Sequence, residues 1–215
     1  MCHLHCCGRV GLDFAIADMS GTNHFKQKTA MGAMSDSAEF LNTAVPRQYM
    51  RNVVYVNSRG GRFMEAAYLS GLANSDWTWT VRLADFDNDG RVDVFFSNGM
   101  SRDLNLSDNK ALSTLHLGET EWDKHTRAKT PELRQQNFAY RNDGGLKFED
   151  VSKDWGLDHV GMSFASATAD FDRDGDLDLV VCNLEQPASV YQNNTAGGNR
   201  VITVSYTHLT LPTKA

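Results

Sequence analysis

Residues 77–83, Trp-Thr-Trp-Thr-Val-Arg-Leu, alternate apolar and polar side chains with a period of two. That period predicts a strand with Trp77, Trp79, Val81 and Leu83 on one face and Thr78, Thr80 and Arg82 on the other. RNVVYVN (51–57) and NFAYRN (137–142) each run into a turn with paired glycines, SRGGRF (58–63) and DGGLKF (143–148), which permits positive φ before a further strand. VDVFFSN (92–98) and LDLVVCN (177–183) are continuous enough in apolar residues to be buried strands. MSFASATA (162–169) consists mostly of small residues and suits a strand crowded by neighbouring backbones. Two polar inserts, 21–50 and 101–136, are helix-compatible in parts. Asp36 with Glu39 has the spacing of a capping box, and Thr130-Pro131-Glu132 reads as an N-cap, a proline at the first helical position and an acid in the first turn. Short strands in succession, joined by loops, predict an all-β chain built by radial repetition with short helical inserts.

The chain matches itself at an offset of 85 residues, without a gap, over about fifty positions. Asn52 falls on Asn137, Tyr55 on Tyr140, Asn57 on Asn142, Gly71 on Gly156 and Leu72 on Leu157. The same offset superposes two acidic stretches, DFDNDGRVD (85–93) and DFDRDGDLD (170–178). LDFAIADM (12–19) is similar to VDVFFSNGM (92–100), the tail of an earlier copy, and VYQN (190–193) opens a later one. The organisation expected is then the end of a first repeat plus an insert at 9–50, repeats at 51–136 and 137–189, and the start of a further unit at 190–203. Counting back 80 residues from Asp85 and Asp87 reaches His5 and Cys7, so residues 1–8 read as non-native sequence in place of a lost loop. VSYTHLTLPT, within the tail 204–215, resembles a translated sequencing adapter. On this reading the chain is a fragment from the middle of a longer protein, and its open strand edges favour association.

Of the 215 residues, 41% are hydrophobic and 22% charged, an ordinary globular balance. No window reaches the ~18 apolar residues of a membrane span. Charge alters the picture more. The net charge is -6, whereas the two acidic stretches carry -3 and -4, so the rest of the chain is close to neutral and lacks the Lys/Arg footprint of a nucleic-acid binder. Acidity concentrated in this way calls for a cation. Three of the four cysteines crowd positions 2, 6 and 7, which gives the body no disulfide framework, and Cys182 reads as a small buried side chain.

A calcium ion takes roughly six to eight oxygens, and a short loop supplies them when alternate residues turn inward around a tight bend. In 85–93 the candidate ligands are the carboxylates of Asp85, Asp87, Asp89 and Asp93 and the main-chain carbonyl of Arg91. In 170–178 they are Asp170, Asp172, Asp174 and Asp178 with the carbonyl of Asp176, while Gly90 and Gly175 take the bend. An EF-hand loop opens alike but ends in a bidentate Glu at its twelfth position, occupied here by Phe96 or Val181, and its flanks are helical. The plainer alternative is a solvated Asp-rich turn, which two matching loops disfavour; magnesium would keep more of its water. Without metal the carboxylates repel one another, so calcium would staple the flanking strands together. With a dissociation constant of about 10 μM in about 1 mM calcium, each site would stabilise the fold by about 2.7 kcal/mol.

At the two DxDxDGxxD loops, the NVVYVN…GGRF…SGL and NFAYRN…GGLKF…WGL segments and the ADMSGTNHFKQK stretch, the sequence resembles the FG-GAP/VCBS repeats of integrin-α-like propellers. It resembles more closely the cartilage acidic protein (ASPIC/UnbV) family, across roughly residues 9–203, and GGNRVITV (197–204) is similar to the opening strand of that family's C-terminal domain. The resemblance implies a partial β-propeller with two calcium sites, exported to the periplasm, medium or cell surface. It implies a non-enzymatic scaffold that binds an extracellular protein or glycan. The competing expectation is a calcium-stabilised hydrolase or lyase acting on polysaccharide, for which His24, His159, Glu119, Glu121 and His125 are the available titratable candidates. Glu121 and His125, four apart, could share a helix face, but no full HExxH pattern is present. The calcium-sensor reading requires a large rearrangement, which strand-flanked loops do not favour.

Overall fold

A computed structural model describes residues 2–4, 12–29, 43, 45, 49–58, 60–103, 106 and 130–195. The first sheet runs in the order β1 (Cys2–Leu4), β2 (Asp13–Ile16), β4 (Val53–Asn57), β5 (Phe63–Glu65). The second runs β10 (Lys147–Asp150), β9 (Phe138–Gly144), β7 (Asp93–Asn98), β6 (Asp76–Ala84), β3 (Met19–Ser20). The third runs β12 (Ser163–Ala169), β13 (Asp178–Asn183), β14 (Ser189–Tyr191), and β8 (Gln135–Gln136) forms a separate pair with β11 (Val160–Gly161). Every pairing is antiparallel. Two short helices, α1 (His24–Thr29) and α2 (Ala67–Ser70), complete the described elements. The chain is thus the expected all-β partial propeller. Among the described residues no helix is long and apolar enough to cross a membrane.

Sheets and sequence units are out of phase. β6 and β7 form a hairpin around residues 85–92, and β7 then pairs with β9 of the following unit. β13 pairs with β14, and β2 with β4, in the same manner. Each sheet therefore ends on strands contributed by the next copy, and the pre-loop position in the first sheet is taken by Cys2–Leu4, paired to β2.

Strand alternation gives the second sheet two buried faces. Val94 and Phe96, with Tyr140 and Phe148, pack against Ala15, Val54 and Leu72 of the first sheet and its loops. Phe95 and Ala139, on the opposite face of the second sheet, join Phe86 and Leu157 against Leu179 and Val181 of the third. β7, covered on both sides, is buried along its whole length. Polar bonds tie the second junction: Arg82 donates from Nε and Nη2 to the Ser166 carbonyl, and the Thr80 and Ser166 hydroxyls are 2.9 Å apart.

Three expectations need correction. Thr130-Pro131-Glu132 opens no helix: Leu133 exchanges two backbone hydrogen bonds with Met100, and Gln135–Gln136 pair with β11. Long-range pairing overrides the local capping signal there. Asp36 and Glu39 lie outside the described residues. Trp79 departs from the face of Val81 and Leu83, because the β6 register shifts between Thr78 and Thr80. β12 shifts at the equivalent place, between Ser163 and Ala165, and the two displaced aromatics, Trp79 and Phe164, stack with ring centres 4.8 Å apart. Cys182 is exposed, since its face of the third sheet has no covering sheet among the described residues.

Candidate metal centres

Both acidic loops fold alike because the same positions take left-handed backbone. Asn88 (φ 58°) and Gly90 (φ 85°) in the first loop match Arg173 (φ 67°) and Gly175 (φ 98°) in the second. The glycine was legible as the bend; the non-glycine partner two residues earlier was not, although Asn is among the residues that tolerate this region. The curled backbone turns its own N–H groups toward the carboxylates. In the first loop Asp85 accepts from Asp89 N–H (3.0 Å) and Gly90 N–H (2.8 Å), and Asp89 accepts from Arg91 N–H (2.8 Å). In the second, Asp170 accepts from Gly175 N–H (3.1 Å), Asp172 from Asp174 N–H (3.2 Å) and Asp174 from Asp176 N–H (2.9 Å).

This arrangement gathers Asp85, Asp87 and Asp89, each half-buried, so that one oxygen of each lies within 4.8 Å of the others. Asp170, Asp172 and Asp174 converge within the same limit, with the last two exposed. Burial, then the charges of Asp89 and Asp85, raises the pKa of Asp87 above the usual carboxylate range. At Asp174 the Asp176 N–H pulls downward, but desolvation and the charges of Asp172 and Asp176 leave it raised. Local cationic and amide groups answer part of this charge. The Arg91 guanidinium pairs with Asp89 and donates from Nε to the Asn142 carbonyl (2.5 Å), and Gln192 Nε2 donates to Asp172 Oδ2 (2.5 Å). Asp170 Oδ1 is buried with no hydrogen-bond partner, which is how an acceptor meant for a cation would be left. The donor set fits a hard divalent ion.

Asp93 and Asp178, assigned to the same ligand sets by spacing, stand apart from these triads. Asp93 is fully buried and accepts Phe86 N–H at Oδ2 and Asn142 N–H at Oδ1, both at 2.9 Å. Asp178 accepts Phe171 N–H (2.9 Å) and Asn193 N–H (2.8 Å) in the same way. Asp13 accepts Asn57 N–H (2.8 Å), so the asparagine arm of the clamp recurs in the first sheet. The asparagines complete it: Asn142 Nδ2 donates to the Val92 carbonyl (3.0 Å), and Asn193 Nδ2 to those of Phe86 (2.7 Å) and Leu177 (3.2 Å). Burial pushes the Asp93 carboxyl up to about 7, against the pull of the two N–H groups. Asp176 is buried beside its clamp. The Asn193 amide, although part of an Asn-Asn-Thr sequon, is fully engaged in the fold.

A cleft of about 250 Å³ is lined both by apolar and aromatic side chains, Phe86, Trp155, Leu177 and Tyr191 among them, and by the polar run Gln192 to Thr195. Of the titratable candidates for catalysis, His24 opens the exposed α1 and His159 is bonded to Gln186 (3.1 Å). Glu119, Glu121 and His125 lie outside the described residues.

No curated protein matches the chain. The copy that spans β4, β5, α2, β6 and the first acidic loop is tied by the 85-residue offset to a second copy carrying the same loop, clamp and strand pairing. Residues 39–96 match the family model described as an FG-GAP-like repeat.

Proposed function

We propose that the chain is a non-enzymatic, calcium-binding propeller module of an exported protein of the cartilage acidic protein type, presenting its loops to an extracellular protein or glycan. The observation that carries the calcium reading is the duplication of one geometry. Three aspartates converge at 85–89 and again at 170–174, in loops with the same left-handed positions. Each triad would hold one ion, completed by the carbonyls of Arg91 and Asp176 and by water. Bound calcium supplies the positive charge that lets the carboxylates crowd without repulsion. The chain's own part is to hold the loop ends fixed through the Asp93 and Asp178 clamps.

The family match supports a binding module more than an enzyme, because propeller repeats build scaffolds whose loops vary. Calorimetric titration of calcium into the protein tests the metal reading, beside Asp87→Ala and Asp172→Ala. Two sites in the parent and one in each variant are expected, with a melting temperature raised by calcium. A folded parent that binds no calcium would overturn it.

A further inference from the structure

The two acidic loops share a backbone but not a charge balance, and the sharpest difference sits at one position. Arg91 in the first loop is Asp176 in the second. The Arg91 guanidinium pairs through Nη2 with Asp89 Oδ2 and is anchored from its other side, where Nε donates to the Asn142 carbonyl (2.5 Å). One of the three convergent carboxylates therefore already carries a cation supplied by the chain. Asp85 has both oxygens occupied as well: Oδ1 accepts Asp89 N–H and Oδ2 accepts Gly90 N–H. The buried polar atom left over in this loop is Asn88 Nδ2, a donor, which a cation does not satisfy.

The second loop answers its charge less fully. Asp170 holds the Gly175 N–H on Oδ2, but its Oδ1 is buried with no hydrogen-bond partner. Asp176 is buried and places a negative charge where Arg91 supplies a positive one. Arg173, at the position of Asn88, is exposed. Gln192 donates to Asp172 Oδ2 (2.5 Å), which holds that carboxylate without neutralising it. A buried acceptor without a donor, in a loop whose net charge is -4 against -3 in the first, is suited to a cation.

We propose, as an inference that rests on the two calcium sites, that Arg91 is a built-in counter-ion of the first site, so that the loops bind calcium unequally, the second tightly and the first more weakly. In the first loop Asp89 is shared between the ion and Arg91. At the position of Arg91 the second loop has a carboxylate instead, and the charge of a site tunes its affinity. Half-burial strengthens the hold of the first triad on an ion, but it also strengthens the Arg91–Asp89 pair that competes for one of its ligands. A net unit charge several ångströms from a divalent ion shifts affinity by roughly tenfold even at the dielectric of water. The weaker site is also the one whose loop keeps its shape without the ion, because its own groups already satisfy Asp85 and Asp89.

Calorimetric titration of calcium into the whole chain, with Asp87→Ala and Asp172→Ala assigning each phase to its loop, tests this. Two dissociation constants about tenfold apart are expected, the tighter one lost in Asp172→Ala. Arg91→Gln should tighten the first site several-fold and leave the second unchanged, whereas Arg91→Lys, which keeps the charge, should leave both near the parent. Asp176→Asn should weaken the second site. In chelator, amide exchange at Asp89, Gly90 and Arg91 should be slower than at Asp174, Gly175 and Asp176, and calcium should slow the second group more. Circular dichroism reports which variants fold, and the parent's two constants and its exchange rates decide the matter without them. Two equal sites, a tighter first site, or a first site indifferent to Arg91→Gln overturns the proposal and leaves the calcium reading standing. A folded parent that binds no calcium overturns the calcium reading and this inference with it.

Discussion

Spacing places Asp85, Asp87, Asp89 and Asp93 in one ligand set, and in the structure Asp93 also accepts two buried N–H groups, a contribution to folding that a substitution series can weigh. Asp93→Ala removes the acceptor for two buried donors, Phe86 N–H and Asn142 N–H. A buried donor left unsatisfied costs about 1–3 kcal/mol, so the loss is about 2–6 kcal/mol, a large part of the ~5–15 kcal/mol that stabilises a typical domain. Asp93→Asn keeps one acceptor and turns an amide against the other N–H, for a loss nearer 1–3 kcal/mol. Asp87→Ala orphans nothing, because the Asp89 N–H that it shares (3.2 Å) is also held by Asp85 (3.0 Å), and it removes one of three repelling charges. Urea unfolding in chelator, followed by tryptophan fluorescence, should rank the midpoints Asp93→Ala below Asp93→Asn below the parent, with Asp87→Ala at or above the parent. Equal midpoints for Asp93→Ala and Asp87→Ala would refute that contribution.

Gly99→Ala should lower the urea midpoint by an amount typical of overpacking, about 1–3 kcal/mol or more. At φ 114° its Cβ would lie 2.3 Å from the Gly161 carbonyl oxygen and 2.8 Å from Met162 Cα, and an unchanged midpoint would deny that close approach. Arg82→Ala removes the guanidinium from the Ser166 carbonyl between the second and third sheets, a charge-assisted contact of about 1.5–3 kcal/mol. Amide exchange across 163–169 should accelerate, and protection equal to the parent's would count against this tie. Calcium affinity should weaken as pH falls toward the carboxylate range. A carboxyl with a raised pKa is fully charged only above that pKa and takes up its proton early on acidification, as Asp87 and Asp174 would, in competition with the ion. Calorimetry across a pH series checks this, and an affinity flat through the acid range would contradict it.

The strands and the convergence of Asp85, Asp87 and Asp89 were readable because both rest on short periods: alternation for the strands, and alternate residues around a bend for the loop. The register shifts at Trp79 and Phe164 were not, since a bulge is set by what lies across the sheet interface, here the other bulge. The clamp was hidden for a similar reason: Asp93 meets Asn142, 49 residues away, and no local spacing encodes that contact. A signal was nevertheless present. Residues 1–8 carry no aspartate ladder, yet Asp13 stands at the position of Asp93 and Asp178. There it accepts the Asn57 N–H, as Asp93 accepts that of Asn142, so the aspartate and asparagine that recur together in each copy are the signal.

Because sheets and sequence units are out of phase, the clamp works at a boundary. The last aspartate of each loop opens the post-loop strand and grips the asparagine on the next unit's first strand, so consecutive copies are stitched within a sheet by backbone N–H groups and a carboxylate. The triad lies four residues earlier on the same loop, with its far end fixed. A cation drawn to Asp85, Asp87 and Asp89 would find the strands on both sides already placed and only the intervening bend free to respond. That geometry suits stiffening rather than rearrangement, and it explains how one nine-residue stretch can carry dense negative charge without prising apart the sheet it belongs to.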